Sequence, residues 1–261
     1  MASNVLAVAK SKIKRAKSQI DDFDREIRRF FDTNGYDIVS NLNLDRTEQV
    51  WRFRLRNKDT SDLSVSAGLI LHMLRSPLDN IVNEIAFQHC GKRSVAFPFG
   101  KNIHAFEERA REKTKNLPSD AVDLIYGLKP YGGGNELLWA VHDLNVDDKH
   151  PGLTAVGHAQ GMEMGALKVF NGQLLVMGNR WGQHLHAEGY APKFFAIEAM
   201  SDDPEFLTTT PGARVECECQ PTFQITFDKL RGHKREPAVA VLKQMRDIVE
   251  SIVLTFERRF F

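Results

Sequence analysis

The periodicity of the apolar residues changes once along this chain, near residue 152. Before this point, apolar side chains recur mainly three and four positions apart, which is typical of helices that pack on a core. After it, short apolar segments are separated by Gly, Asn or Pro, which is typical of strands joined by turns. The sequence therefore predicts an α+β fold, with a mainly helical core over residues 1–152 and an antiparallel sheet plus a closing helix over residues 153–261. We expect the two parts to pack as one unit.

The N-terminal part is expected to contain about five helices and a short two-strand segment. The first helix follows an apolar repeat and ends near Asp32, because Thr33-Asn34-Gly35 is typical of a turn. Two short strands are predicted at 36–42 and 50–55. Further helices are predicted at 62–89 with a kink at Pro77, and at 103–115, 119–127 and 135–148.

The first twenty residues carry five basic side chains and no acidic one, a composition shared with transit peptides. The apolar repeat nevertheless continues through Ile20 and Ile27, past the acidic stretch Asp21-Asp22-Phe23-Asp24. One continuous amphipathic helix therefore accounts for this segment better than a cleaved leader does.

The C-terminal part is expected to be mostly strands. They are predicted at 153–159, 164–170, 173–178, 183–190, 194–199 and 214–227. Glu236-Pro237 then begins a last helix. Helices first, an antiparallel sheet second and one closing helix are the order expected of an α+β protein.

Charge and hydropathy limit the classes of function. The 261 residues include 35 basic and 34 acidic side chains, for a formal net charge of +1. This balance excludes a protein held on nucleic acid or acidic lipid by bulk charge. The longest apolar stretch near the middle, Leu63–Leu74, is shorter than the ~18–20 residues that a membrane span requires. Membrane association is therefore not expected, and nucleic acid is not indicated as a partner.

The cysteine pattern bears on metals and on cellular compartment. Cys90, Cys217 and Cys219 are odd in number, and no CxxC or paired Cys/His spacing of a zinc finger is present. The close pair Cys217 and Cys219 is poorly placed for a disulfide. We therefore expect no required cofactor, and reduced thiols in a cytoplasmic compartment.

The densest group of ionisable side chains lies at the end of the fifth predicted helix. At about 100° per residue, Leu137, Val141 and Leu144 form its buried stripe. One flank carries His142, Asn145 and Lys149, and the other carries Trp139, Asp143 and His150. A histidine in such a place can be a general base, a metal ligand or a hydrogen-bonded core residue. Alternatively, the basic side chains only stabilise the end of the helix through its dipole.

The second predicted helix offers a partner for this group. Arg75 and Asp79 are four residues apart at the edge of an apolar stripe, so an ion pair there would be half-buried. If this face packs on the fifth helix, one candidate cluster contains Arg75, Asp79, His142, Lys149 and His150. Such a cluster could hold a phosphate or another small anion, could transfer protons, or could only fix the packing of the helices. The sequence leaves these alternatives open.

A second candidate site is a strand-like segment with metal-binding side chains. On a strand, His184, His186 and Glu188 share one face, and two imidazoles with a carboxylate suit a divalent metal. The arrangement resembles the first half of a cupin motif, and the second half, with a further histidine, is lacking. An exposed polar strand face is the alternative.

Three further patterns favour ordinary structure over function. The segment Gly157–Gly161 has the outline of a hydrolase nucleophile elbow, but Ala159 stands where the serine is required. Arg52, Arg54 and Arg56 share a strand face that suits either an acidic partner or water. The basic loop 229–235 is flanked by acidic residues, as in a solvated turn. Neither basic pattern meets the usual criterion for nucleic-acid binding.

Several short motifs lie between about residues 60 and 155. They are Leu74-Arg75-Ser76-Pro77-Leu78-Asp79-Asn80, Phe97-Pro98-Phe99, Leu128-Lys129-Pro130-Tyr131, Leu137-Leu138-Trp139, and His142-Asp143-Leu144 through Asp148-Lys149-His150. Together they resemble a family of bacterial and phage-borne proteins. The resemblance implies the same helical core and implies no activity.

A broader similarity is to HEPN-type helical domains, many of which cleave RNA. Their signature is an arginine followed four to six residues later by a histidine on a helix. Arg180 and His186 have this spacing, but in a strand-like segment. The similarity implies an RNA-directed activity only if these two residues lie on a helix.

These observations lead to three functional hypotheses. The first is a non-catalytic binding or regulatory protein with its polar cluster inside a helical bundle, because no catalytic set is complete. The second is a hydrolase or ribonuclease acting on a phosphate-bearing substrate, with His142 or His150 as the general base and Arg75 and Lys149 stabilising the developing charge. The third is a metal-binding protein that uses the HxHxE strand.

The expected partners are a small anionic ligand or another protein. The exposed face of the last helix, which ends in Phe260-Phe261, also leaves a homodimer open.

Overall fold

A computed structural model describes residues 2–92, 95–147, 155–177, 195–196, 205–227 and 236–261. The helices in these ranges are α1 (Ala2–Asn34), α2 (Ser61–Cys90), α3 (Ile103–Lys113), α4 (Ser119–Leu128), α5 (Glu136–Asp147) and α6 (Ala238–Phe260). The strands are β1 (Tyr36–Leu42), β2 (Gln49–Leu55), β3 (Ala155–Phe170), β4 (Leu174–Met177), β5 (Phe195–Ala196), β6 (Glu205–Thr209) and β7 (Arg214–Phe227). The predicted α+β fold, with a helical N-terminal core, an antiparallel sheet and a closing helix, is confirmed.

Strand bounds differ from the prediction more than helix bounds do. The two strands predicted at 153–159 and 164–170 form the single strand β3, because Gly161 and Met162 stay extended and pair with β5. Strand β6 is absent from the sequence prediction. Its adjacent apolar residues Phe206 and Leu207 are both buried, so the polar–apolar alternation that identifies a strand is lost there. The strand predicted at 183–190 lies outside the described residues.

The chain forms two compact units, each assembled from separate segments. Unit 1 comprises Met1–Glu26, Thr60–Ala155 and Phe227–Phe261, and unit 2 comprises Ile27–Asp59 and Val156–Thr226. The sequence-based division at residue 152 placed β1 and β2 with the helices and α6 with the sheet. The structure groups these elements differently because β2 pairs with β6, and α6 packs on α2 and α5.

Helix α2 is the central helix of unit 1. It packs against α5 and α6 through the stripe expected from the sequence, whose members Leu71, Leu74, Leu78, Ile81, Val82 and Ile85 are all buried. Pro77 lies inside the helix. The helix ends at Gly91, whose left-handed backbone lets its N–H donate to the carbonyl of Phe87.

Helix α1 is amphipathic, as the sequence predicts. Its buried residues recur three and four positions apart and are Leu6, Ala9, Ile13, Ala16, Ile20, Phe23 and Ile27. The pattern continues without a break through the acidic stretch that begins at Asp21. The basic residues of the first twenty positions therefore belong to a folded amphipathic helix.

Unit 2 consists of two small sheets. The first is antiparallel, with strand order β1-β2-β6-β4, and the second has the order β5-β3-β7. Phe53 of β2 stacks on Phe206 of β6 with ring centroids 4.2 Å apart. Leu167 of β3 and Val215 of β7 pack against this pair. The apolar faces of the two sheets therefore meet in one core.

The arginine face of β2 has acidic partners within unit 2. Arg52 forms an ion pair with Glu205, its neighbour across the β2–β6 pairing. Arg56 forms another with Asp37 of β1, with Nε and Oδ1 2.8 Å apart. These carboxylates offset much of the positive charge that could have attracted an acidic partner.

The structure bears on two expectations, that the thiols are reduced and that no helix crosses a membrane. Cys90 is a free, exposed thiol, whereas Cys217 is disulfide-bonded. The expectation of reduced thiols is therefore wrong for Cys217, whose side chain packs partly buried against the unit 2 core. Among the helices that the structure describes, none is long and apolar enough to cross a membrane.

Candidate functional site

The candidate cluster is organised around residues 95–99, a segment without regular secondary structure that is hydrogen-bonded to α2. Arg75 and Asp79 of α2 form an ion pair, with Nη1 and Oδ1 2.7 Å apart. The same carboxylate oxygen accepts a hydrogen bond from the N–H of Phe97 at 2.7 Å. Nη2 of Arg75 donates to the carbonyl oxygen of Phe97 at 3.2 Å. Two side chains of one helix thus bind both polar groups of one backbone residue.

Asn83 lies one turn further along α2 and continues the row of polar side chains formed by Arg75 and Asp79. Its Oδ1 accepts a hydrogen bond from the N–H of Val95 at 2.8 Å, and its Nδ2 donates to the carbonyl of Asp79 at 3.0 Å. Four residues of helix rise about 6 Å, and two residues of extended chain span about 6.7 Å. Because these repeats match, Asp79 and Asn83 can bind alternate residues of the segment, as a neighbouring strand would.

Phe99 connects this row to α5. The guanidinium carbon of Arg75 lies 4.6 Å from the centroid of the Phe99 ring. The imidazole of His142 stacks on the same ring, with centroids 4.7 Å apart and planes inclined by 9°. The ring of Trp139, one turn earlier on α5, lies 5.4 Å from the imidazole. The cluster is therefore a mixed ionic and aromatic contact between α2 and α5.

The cluster is largely closed to solvent. Arg75 is 8% exposed, and Trp139, which contacts His142, is also buried. His142 is half-buried, and about a third of the Asp79 side chain remains exposed, at 34%. Asn145, predicted on the same flank of α5 as His142, is buried. The low-dielectric surroundings strengthen the Arg75–Asp79 attraction and make either charge costly to leave alone.

The far end of the 95–99 segment is fixed by hydrogen bonds to its backbone. Arg109 of α3 donates from Nη1 to the carbonyl of Phe99 at 3.3 Å. The next residue, Gly100, donates to the carbonyl of Pro130 and accepts from the N–H of Gly132, each at 3.2 Å. The segment is thus held by α2 on one side and by α3 and the α4–α5 loop at its end.

The structure brings Arg75, Asp79 and His142 together around the 95–99 segment. The other two members of the predicted cluster, Lys149 and His150, lie outside the described residues. The groups that contact the three central residues are mostly backbone atoms and aromatic rings of the same chain.

Sequence reasoning missed Asn83 and Phe99 as members of this group. Both left a signal in the sequence. Asn83 continues the four-residue spacing of Arg75 and Asp79, and Phe99 belongs to the Phe97-Pro98-Phe99 motif. The spacing shows that the three polar residues share a helix face, but it does not show which segment they bind.

The other candidate site residues are not brought to this cluster. His184, His186 and Glu188, the predicted metal set, lie outside the described residues, as do Arg180 and the basic loop 229–235. Within the described ranges, no group of three His, Cys, Asp or Glu side chains is arranged to hold a metal ion. The Gly157–Gly161 segment lies within the continuous strand β3, so it lacks the strand–turn–helix geometry of a nucleophile elbow.

An open surface groove lies where α4 ends and α5 begins. Its volume is about 580 Å³, and residues 127–129 and 134–137 line it. Arg75, Asp79 and His142 are not among the lining residues. The groove and the candidate cluster are therefore separate features of unit 1.

Comparisons of the chain with protein-family models, with curated proteins and with solved structures found no match. The geometry of the site is accordingly the basis on which a function can be assigned. What that geometry shows most directly is that Oδ1 of Asp79 and Nη2 of Arg75 are occupied by the backbone of Phe97.

Proposed function

We propose that this protein is a non-catalytic binding or regulatory protein, in which Arg75, Asp79 and His142 have a structural role. The proposal rests on two hydrogen bonds to the backbone of Phe97: Asp79 accepts from its N–H, and Arg75 donates to its carbonyl. A substrate that took the place of Phe97 on Nη2 of Arg75 or on Oδ1 of Asp79 would have to release this backbone, which would leave a buried polar group without its hydrogen bond.

The surroundings of Arg75 favour a protein partner over a small anion. Its guanidinium already faces the Asp79 carboxylate, the Phe97 carbonyl and the Phe99 ring. A phosphate approaching it would be repelled by Asp79 and would have to displace it from a buried ion pair. The proposed binding activity therefore belongs to the surface of the protein, and the partner class is another protein.

His142 has the contacts of a packing residue. Its ring lies nearly parallel to Phe99 and within 5.4 Å of Trp139. A general base needs its nitrogen within hydrogen-bond reach of the proton that it removes. A flat, half-buried stack between two elements instead suits a residue that joins α5 to the 95–99 segment.

Two substitutions of His142 test the structural role. His142→Phe keeps a flat ring on Phe99, whereas His142→Ala removes it. We expect His142→Ala to lower the melting temperature and His142→Phe to restore most of the loss, as measured by thermal unfolding. His72→Ala is the matched control, because this imidazole is exposed on α2, and its replacement should leave the melting temperature unchanged.

The catalytic alternative is tested on the same samples with bis(p-nitrophenyl) phosphate and single-stranded RNA. We expect no turnover that depends on His142. Turnover by the wild type that both His142 variants lose, at an unchanged melting temperature, would refute the structural role. A melting-temperature increase on adding inorganic phosphate that Arg75→Lys abolishes would instead establish an anion site.

A further inference from the structure

The outward face of α1 carries a regular row of exposed side chains, here called the α1 seam. Its members are spaced alternately four and three residues apart and are Ala7, Ser11, Lys14, Ser18, Asp21 and Arg25. The buried residues of the same helix, from Leu6 to Phe23, follow the same kind of spacing on the opposite side. A repeat of 3.5 residues keeps side chains along one line of a helix, which is the arrangement that a second helix can pack against.

The charges of the α1 seam and its flanks are separated along the helix. Lys14 and Arg15 make the N-terminal half basic, and Asp21 and Asp22 make the next part acidic; all four are exposed. In the part of the chain that the structure describes, Lys14, Arg15 and Asp21 have no ion-pair partner. Asp22 pairs with Arg25, another exposed residue of the same face. The α1 seam and its flanks therefore present a basic pair at positions 14 and 15 and an acidic pair at 21 and 22, and three of these four charges have no ion-pair partner among the described residues.

The two halves are placed symmetrically about Ser18. Lys14 lies four residues before Ser18 and Asp22 four residues after it, while Arg15 and Asp21 lie three before and three after. Two antiparallel copies of α1, related by a two-fold axis at Ser18, would therefore place each Lys14 opposite Asp22 of the second copy. Each Arg15 would lie opposite Asp21 of the second copy. A two-fold interface repeats every contact, so this arrangement forms four ion pairs.

The remaining seam residues permit close approach of the two helices. Ala7, Ser11 and Ser18 have small side chains, and the distance between packed helices depends on the size of the side chains at the contact. The net charge of the whole chain is only +1, so two copies do not repel each other through their overall charge. The α1 seam is thus complementary to itself in charge, and its small side chains permit close packing.

We propose that the α1 seam is a homodimer interface, in which two copies of the chain pair their α1 helices antiparallel about Ser18. This places the dimer contact on α1 and not on α6, the helix whose C-terminal phenylalanines first suggested one. Phe260 is half-buried and Phe261 is exposed at the very end of the chain, and the rest of the outer face of α6 carries polar residues such as Lys243, Glu250 and Ser251. The proposal is independent of the structural role of Arg75, Asp79 and His142.

Sedimentation equilibrium of the full chain at increasing salt is the first test. We expect a dimer whose dissociation constant rises between about 0.1 M and about 1 M NaCl, because the Debye length falls from about 10 Å to about 3 Å. A wild-type chain that stays monomeric at low salt up to about 100 µM would overturn the proposal.

Charge reversal tests the antiparallel pairing itself. The double variant K14E/R15E makes the charges at positions 14, 15, 21 and 22 all acidic, and D21K/D22K makes all four basic. We expect each alone to dimerise about tenfold or more weakly than the wild type, because like charges then face each other across the two-fold axis. An equimolar mixture should form a heterodimer, because every acidic half then meets a basic half.

The controls separate pairing from loss of fold. K101E/K115E reverses two exposed lysines of unit 1 outside α1 and should dimerise like the wild type. Circular dichroism should show unchanged helix content in all variants. Dimerisation of either reversed variant at wild-type strength, or failure of the mixture to associate when both are folded, would refute the antiparallel pairing.

Discussion

The N–H of Phe97 and the carboxylate of Asp79, 18 residues apart in sequence, are joined by a 2.7 Å hydrogen bond. The same oxygen lies 2.7 Å from a nitrogen of the buried Arg75 guanidinium. The position of the 95–99 backbone therefore depends on the Arg75–Asp79 ion pair. Removing either partner leaves two groups unsatisfied, one charged and one in the backbone.

The first prediction concerns Asp79. Asp79→Ala should lower the free energy of unfolding by about 2–4 kcal/mol, somewhat less than for a fully buried pair, because the Asp79 side chain is partly exposed. Asp79→Asn should cost less, because an amide oxygen can still accept the bond from Phe97. Urea unfolding measures both. Asp123→Ala, an exposed acid on α4, is the control and should change the value by no more than about 0.5 kcal/mol.

Replacing both Arg75 and Asp79 distinguishes their hydrogen bonding to Phe97 from the effect of an ordinary buried ion pair. Exchanging both partners of a buried pair for apolar residues is often neutral or stabilising. Here Arg75→Met with Asp79→Leu should stay destabilising by about 2 kcal/mol or more, because the N–H and the carbonyl of Phe97 both lose their partners. A double variant as stable as the wild type would show that the hold on Phe97 contributes nothing.

The second prediction compares two glycines of unit 1. A Cβ on Gly100 would lie 2.3 Å from the backbone nitrogen of Phe106, so Gly100→Ala should lower the free energy of unfolding by about 3 kcal/mol or more. A Cβ on Gly127, within α4, would meet no atom within 4 Å. Gly127→Ala should therefore raise the free energy of unfolding by about 0.5–1 kcal/mol. Equal effects of the two substitutions would contradict the close approach of Gly100 to α3.

How far the sequence predicts this site depends on the range of each contact. The stripe of α2 and the four-residue spacing of Arg75 and Asp79 are local patterns, and they correctly predict a paired Arg–Asp at the edge of the core. The 95–99 segment is a different case, because its bonds to α2 join residues 12 to 22 positions apart. Such partners are selected by tertiary packing, and helical periodicity carries no information about them.

The difference between local and long-range contacts also explains why the sequence did not predict the two units. Helix bounds follow from periodicity and turn residues, so α1 to α6 were predicted within a few residues. The pairing of Trp51 in β2 with Leu207 in β6 joins segments that are far apart in sequence. Register over such a distance is determined by which apolar faces meet, here around Phe53 and Phe206. A division of the chain at one point could not represent units built from interleaved segments.

The third prediction concerns the core of unit 2. Phe206 is 1% exposed and stacks on Phe53. Phe206→Ala should therefore lower the free energy of unfolding by about 3–5 kcal/mol. Hydrogen exchange measured by mass spectrometry should show faster exchange in β2 and β6. Phe170→Ala is the control, because Phe170 is exposed at the end of β3, and it should leave the exchange of β2 and β6 unchanged.

The last prediction concerns Asp45, in the turn between β1 and β2. The hydroxyl of Thr47 donates to Oδ1 of Asp45 at 2.6 Å and the N–H of Thr47 at 3.1 Å, and these bonds lower the pKa of Asp45. Because the folded-state pKa is depressed, the contact stabilises the turn above the ordinary pKa of aspartate and is lost as the pH falls through the folded-state value. Thr47→Val removes the larger contribution and should raise the pKa of Asp45 in a carboxyl NMR titration. Thr47→Ser keeps the hydroxyl and should leave it low, so equal values in the two variants would assign the shift to the backbone alone.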